Sequence, residues 1–271
     1  IVNGLPWKYD LAVTRACVES GVSGLDVSTE EDQWAYDAAA REKGIVFIPG
    51  VGATPGITNA MARRGADQLD EVDEIQIHFA AFRCPAPSPG LLTTFLWEFH
   101  PQTEERFYYQ DGAFHWTGPF EGLKKVTFPG PIGEQEVCYI PHPETRTMPV
   151  SLGAKAVSVR GCFPPHAMRL ARTMLESGLY SEETITVMGL ETTALEMMYE
   201  VLLALPEPRR YLQYRVTMST HQPAATPRLH PEAVGRCVVI DRQVPGCLGR
   251  RPPLARQASS VGKAVKCLTD W

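Results

Sequence analysis

Residues 45–69, IVFIPGVGATPGITNAMARRGADQL, decide how the chain is read. Ile45 to Ile48 is a short apolar run with glycines nearby on both sides, the pattern of a buried strand. A glycine-rich turn follows, Gly50-Val51-Gly52-Ala53-Thr54-Pro55-Gly56. Then comes a helix that Thr58 or Asn59 can cap, with Ala60, Met61 and Leu69 on its apolar side. Strand, glycine turn and helix in this order place backbone amides and a helix N-terminus at the end of a parallel sheet, where such folds meet their ligands. The turn nevertheless departs from a diphosphate-binding loop. Gly50-x-Gly52-x-x-x-Gly56 is one residue longer than G-x-G-x-x-G, and Pro55 removes an amide from the segment that would cradle phosphate. That fingerprint also asks for an acidic residue closing the next strand, and here the strand from Glu74 to Phe82 closes on Arg83. The turn is expected elsewhere along the same sheet edge.

Upstream, the short strand IVNGL (1–5) ends at Pro6, and a helix over Leu11 to Ser20 stops at Gly21. GLDVS (24–28) is a second short strand. Thr29 opens a second helix, expected to bury Trp34, Ala38 and Ala39 before Gly44. Strands and helices alternating at this spacing predict a parallel sheet. Three strands leave both flanks of such a sheet unfinished, and the chain opens on Ile1 inside a strand, so an upstream piece is expected.

Downstream the rhythm changes. Glu74 to Phe79 alternates as a half-exposed strand, Leu91 to Phe99 reads as a short amphipathic helix, and Asp111-Gly112 turns a hairpin between Phe107 and Trp116. Further strands are expected around 125–128, 136–140 and 156–160, helices over Pro164 to Gly178 and Leu190 to Leu205, and a return strand over Arg210 to Ser219. The divisions are residues 1–57 as a parallel α/β unit, 58–218 as an α+β domain and 219–271 as a basic tail. That tail carries +5 and six prolines, leaving −10 on residues 1–218. It reads as a disordered or abnormal segment, with an arm for an acidic partner as the alternative.

The net charge of −5 argues against general nucleic-acid binding, and the absence of an 18-residue apolar run argues against a membrane span. Seven scattered cysteines without C-x-x-C suggest reduced thiols, hence a cytoplasmic protein without a metal site. Few residues carry evident chemistry. Asp26 reads as a cap or loop residue, with a polar handle at the sheet edge as the alternative. His142 and Glu144, in Pro-His-Pro-Glu, either transfer a proton or fix a loop. His100 and His166 read as surface or capping residues, Cys162 as a buried thiol, and Phe95, Trp97 and Phe99 as core.

Five stretches, taken together, resemble the saccharopine dehydrogenase-like family: the strand into Leu5-Pro6, GLDVSTE (24–30), PGVGATPGITNAMARRGADQLDEVDEI (49–75), GEQEVCYIPHPETRTMP (133–149) and VSVRGCFPP (157–165). The resemblance implies an α/β fold, the carboxyl half of a Rossmann-type parallel sheet followed by an α+β substrate and association domain. The true diphosphate loop would precede Ile1. Leu5, Pro6, Val27, Ser28, Gly50, Val51, Gly52, Thr54, Pro55 and Gly56 would then lie near the nicotinamide of NADP or NAD. The implied activity is hydride transfer at a C–N bond of an amino-acid-like substrate, with Arg83, Arg146, Arg160 and Arg169 as candidates to hold carboxylates. A homodimer is implied by analogy. The rivals are a non-catalytic scaffold and a small-molecule binding module, both favoured by the missing loop.

Overall fold

The computed structural model describes residues 1–29, 31–82 and 88–205, and the backbone of two further strands at 214–221 and 238–242. Arg83, and the tail apart from those strands, lie outside the described residues. The chain begins with β1 (Val2–Asn3), α1 (Asp10–Ser20), β2 (Gly24–Asp26), α2 (Asp37–Glu42) and β3 (Phe47–Ile48). Strands β1, β2 and β3 pair in parallel and in sequence order. Gly21, at φ 66, ends α1 in the left-handed conformation that glycine adopts without a Cβ penalty. The second helix is shorter than its pattern suggests, because Glu31–Tyr36 forms a 3-10 segment. This rotates the helix face: Gln33 and Ala40 are buried, whereas Trp34 is 56% exposed.

After the glycine turn come α3 (Ile57–Ala66), β4 (Glu74–Phe82), α4 (Pro89–Phe99), β5 (Phe107–Gln110) and β6 (Ala113–Trp116). Next are β7 (Lys124–Phe128), β8 (Gly133–Tyr139), α5 (Glu144–Leu152), β9 (Ala156–Cys162) and α6 (Pro165–Glu176). Last are β10 (Thr184–Val187), β11 (Leu190–Thr193), α7 (Ala194–Ala204), β12 (Tyr214–His221) and β13 (Val238–Arg242). The main sheet runs β13-β12-β4-β9-β5-β6, with β8 joining β9 to β7. Only β4 and β9 pair in parallel; the other ladders are antiparallel. The result is a short parallel sheet followed by a mostly antiparallel one.

The alternation in β4 predicts one exposed face, yet His78 to Ala81 are all buried. One side, with Ile75, Ile77 and Phe79, packs in the core with Leu92, Phe95 and Phe99 of α4 and Ala167, Ala171 and Met174 of α6. The other meets a smaller cluster in which Ala80 packs with Phe128, Ile132 and Val137. Gly161 on β9 faces Phe79 so closely that any Cβ there would enter the ring.

Three elements differ from the sequence pattern. Leu190 to Thr193 is a strand rather than the first turn of α7, because Thr193 and Glu196 form a capping box that starts the helix at Ala194. Pro141 to Pro143 remain outside any helix, but Glu144 opens α5, a helix that the sequence pattern does not predict. Val238–Arg242, within the stretch read as tail, pairs with β12 at the sheet edge, in keeping with its β-branched run Val238-Val239-Ile240.

Gly56 sits at φ 123, and a Cβ there would overlap the backbone of Gly52, with which it forms a bridge. Gly56→Ala is expected to destabilise the protein by about 2–3 kcal/mol, lowering Tm by roughly 5–10 °C. Gly4→Ala, with open space around it, should leave the melting curve unchanged.

Candidate active site

The carboxyl ends of the three short strands are tied into one edge. The Val27 amide donates to the Asn3 carbonyl at 3.2 Å, Gly50 to Ser28 at 2.8 Å and Val51 to Asp26 at 2.7 Å. Beneath them Asp26, fully buried, is a hub rather than a helix cap. It accepts hydrogen bonds from Asn3 Nδ2 at 2.7 Å, Gln33 Nε2 at 3.3 Å and the Ser28 amide at 3.2 Å. Ser28 Oγ also donates to Asp10 at 2.6 Å, joining α1 to the same hub. The structure therefore brings Leu5, Pro6, Val27, Ser28 and Val51 to one edge, where Leu5, Val27 and Val51 present apolar surface.

The turn itself is closed. The Gly52 amide donates to the Pro55 carbonyl at 2.8 Å, Gly56 to Asn59 Oδ1 at 2.9 Å, Ile57 to Gly52 at 2.9 Å and Thr58 to Ala53 at 3.2 Å. With these donors engaged internally, the turn does not fit a dinucleotide's diphosphate, which needs free amides. The apolar edge beside it does fit a flat, uncharged ring.

Thr54 points away from that edge, into the second part of the molecule. Its hydroxyl donates to Glu144 Oε1 at 2.5 Å, and Thr58 Oγ1 donates to the same oxygen at 2.7 Å. Glu144 is fully buried at the start of α5, where the helix N-terminus favours negative charge. Its other oxygen lies 3.4 Å from His142 Nδ1, and His142 Nε2 is 3.9 Å from Glu98 Oε1 on α4. Phe79 of β4 packs edge-on against the imidazole at 5.3 Å. Burial alone would push the His142 pKa down, but the carboxylates of Glu144 and Glu98 outweigh it and raise the value. Burial would likewise raise Glu144, and the imidazole together with the two threonine hydroxyls brings it below the usual carboxylate range.

On its other side α4 forms the wall of a cavity of about 1090 Å³. Leu96 and Trp97 of α4 line it, with His100, the β10–β11 hairpin and α7, and Trp7 closes it from the end of β1. Six glutamates surround it (Glu104, Glu105, Glu182, Glu191, Glu196 and Glu200), and among the described residues its lining contains no lysine or arginine. Among the described residues no three His, Cys, Asp or Glu are grouped as a metal ion would require, so these carboxylates ring the space rather than converge. Trp97 and His100, read from sequence as core and cap, are thus cavity residues.

The proposed carboxylate-binding arginines lie elsewhere. Arg146 sits over the Phe107 ring, while Arg160 stacks on Tyr139 and donates to the Gly122 carbonyl. Neither they nor Arg169 line the cavity. Cys162 is buried and desolvation raises its thiol to about 12, which suits packing rather than attack. The cavity glutamates belong to no motif; the −10 charge on residues 1–218 was their only trace in the sequence.

No protein-family model matches the chain. Among curated proteins it is similar to carboxynorspermidine synthase of Vibrio alginolyticus, 25% identical over 230 residues, covering 77% of this chain and 53% of that protein. It is also similar to carboxyaminopropylagmatine dehydrogenase of Synechocystis, 23% identical over 222 residues, covering 75% and 53%. The chain thus spans about half the length of the curated relatives it matches. Among solved structures, apo saccharopine dehydrogenase (L-Glu forming) of Saccharomyces cerevisiae superposes with a TM-score of 0.58 at 10% identity, covering 81% of this chain and 65% of that one. The fold is of the α/β type seen in that structure. In sequence, the chain is distantly similar to the saccharopine dehydrogenase-like family.

Thr58→Val should cost about 1.5–3 kcal/mol at neutral pH, because a buried carboxylate loses a donor. The folded pKa of Glu144 is lowered, so this contribution is present above pH 4.5 and fades as the pH falls; thermal unfolding at neutral and acid pH checks it. For His142 the sign reverses. Its folded pKa is raised, so its stabilisation is complete below pH 6.5 and is lost as the pH rises through the folded value. His142→Gln should therefore lower Tm most in mildly acidic buffer, and a Tm loss that grows with pH would contradict this assignment.

Proposed function

We propose that this chain contributes the nicotinamide-side edge and the substrate cavity of an NAD(P)-dependent oxidoreductase acting at a C–N bond of a small amine- or amino-acid-derived substrate. The observation that carries the reading is the acid-ringed cavity, which reaches Trp7 directly after Leu5-Pro6. Carboxylates without opposing cations attract an ammonium-bearing ligand, and Trp7, Trp97 and Tyr199 offer ring faces that favour cations. A linear polyamine-type substrate matches this lining better than a dicarboxylate does. Similarity to carboxynorspermidine synthase and carboxyaminopropylagmatine dehydrogenase points the same way.

A bound nicotinamide would supply or accept the hydride. The protein's part is geometric: to hold the ring on the edge formed by Leu5, Val27 and Val51, and to keep the reacting carbon within contact of it. The closed turn supports placing the nicotinamide here and the diphosphate elsewhere.

The test is calorimetric titration with a linear triamine and with a dicarboxylic amino acid, followed by assays of NADP+ and NAD+ reduction with the triamine as hydride donor. The triamine is expected to bind more tightly. Glu105→Gln with Glu191→Gln, both exposed and outside the helix cap, should weaken it about 3- to 10-fold, since exposed ion pairs contribute roughly 0.2–1 kcal/mol each. Tighter binding of the dicarboxylate would reject the polyamine assignment. Triamine binding with no cofactor reduction, also when the chain is extended upstream, would favour the binding-module reading.

A further inference from the structure

The cluster around His142 contacts neither the apolar edge nor the acid-lined cavity, yet it touches the structural element behind each. Thr54 belongs to the turn that sits on the ends of β2 and β3, and its hydroxyl is 2.5 Å from Glu144 and 3.5 Å from His142 Nδ1. Glu98, on the opposite side of the imidazole, lies directly after Trp97 and two residues before His100, both in the cavity wall. The end of α4 is fixed in turn by Arg106, itself buried, whose Nη2 donates to the carbonyls of Glu98 at 2.8 Å and His100 at 3.0 Å. A continuous buried polar chain therefore runs from the glycine turn to the cavity wall: Thr54, Glu144, His142, Glu98 and, through the backbone, Arg106.

We infer that His142 is a positioning residue: by bridging Glu144 and Glu98 it ties the turn at the nicotinamide-side edge to helix α4, and so fixes the spacing between that edge and the substrate cavity. Its side chain is only 10% exposed and is enclosed by Glu144, Glu98, Thr54 and Phe79, so it acts through these neighbours rather than on substrate. The charges suit a structural bridge. The imidazolium stands between two carboxylates, and each is anchored by its own element, Glu144 by the hydroxyls of Thr54 and Thr58 and Glu98 by the fixed end of α4. Hydride transfer depends on sub-ångström placement, so a bridge of this kind controls turnover more than binding. That catalytic consequence rests on the oxidoreductase reading; the mechanical coupling does not.

The test is amide hydrogen exchange on the full chain, comparing the parent with Glu98→Gln, His142→Gln and Thr54→Val. The segments to watch are 50–58 and 91–100. Exchange reports local opening. Glu98→Gln is expected to speed exchange in the distant turn, and Thr54→Val in α4, each about fivefold or more. His142→Gln should do both, most strongly below pH 6.5, where the bridge is charged. Changes confined to each variant's own segment would overturn the inference. Should His142→Gln not fold, the other two variants decide the matter, since Glu98→Gln preserves shape and Thr54 is only half-buried. Where the parent reduces NAD(P)+ with the triamine, Glu98→Gln should lower kcat while leaving KM for the triamine within about twofold. A raised KM with unchanged kcat would also overturn it. Where the parent turns nothing over, the exchange result alone judges the coupling.

Discussion

One buried carboxylate holds the two parts of this molecule in register. Glu144 takes two hydroxyl hydrogen bonds from the turn and first helical turn that follow the parallel sheet, while its own chain position is at the head of a helix packed on the mixed sheet. An isolated carboxylate so deeply buried would cost several kcal/mol in desolvation. It is tolerated because Thr54, Thr58 and His142 all face it at once. Thr54 and Thr58 lie 90 and 86 residues upstream of Glu144, so the arrangement exists only when those two pieces of backbone are folded together.

The glycine turn is shaped by the same demand. Gly56 is held in a conformation and a space that only glycine occupies comfortably, and the tight closure this permits aims Thr54 and Thr58 at Glu144. That closure engages the amides of Gly52, Gly56, Ile57 and Thr58. A loop built to hold an anion and a loop built to hold a distant carboxylate through side chains have opposite needs: one leaves its N–H groups pointing outward, the other folds them in. Here the second design has been followed.

The parts of this arrangement that were legible in the sequence are those with local causes. The glycine spacing and Pro55 already argued against a diphosphate loop, and Asp111-Gly112 marked its hairpin. The head of α6 followed from Pro164-Pro165, whereas α4 begins at Pro89, two residues before the helix read from sequence. What could not be read was set by partners far along the chain. Asp26 resembled a cap because its partners, Asn3 and Gln33, lie 23 and 7 residues away. His142 and Glu144 were visible as a pair, but their partners in the turn lie 88 and 90 residues upstream. The buried character of β4 depended on the hairpin β7–β8 covering its second face. The capping box at Thr193 was a local signal, overlooked because the apolar run began earlier.

The sign of the charge around the cavity has a consequence for traffic through the molecule. A dinucleotide carries several negative charges, which a ring of six glutamates with no lysine or arginine among the described lining residues would repel, while the same ring would draw in a protonated amine. Two ligands approaching a shared opening would thus be sorted before any close fit is tested. Neither would obstruct the other's seat by occupying it first.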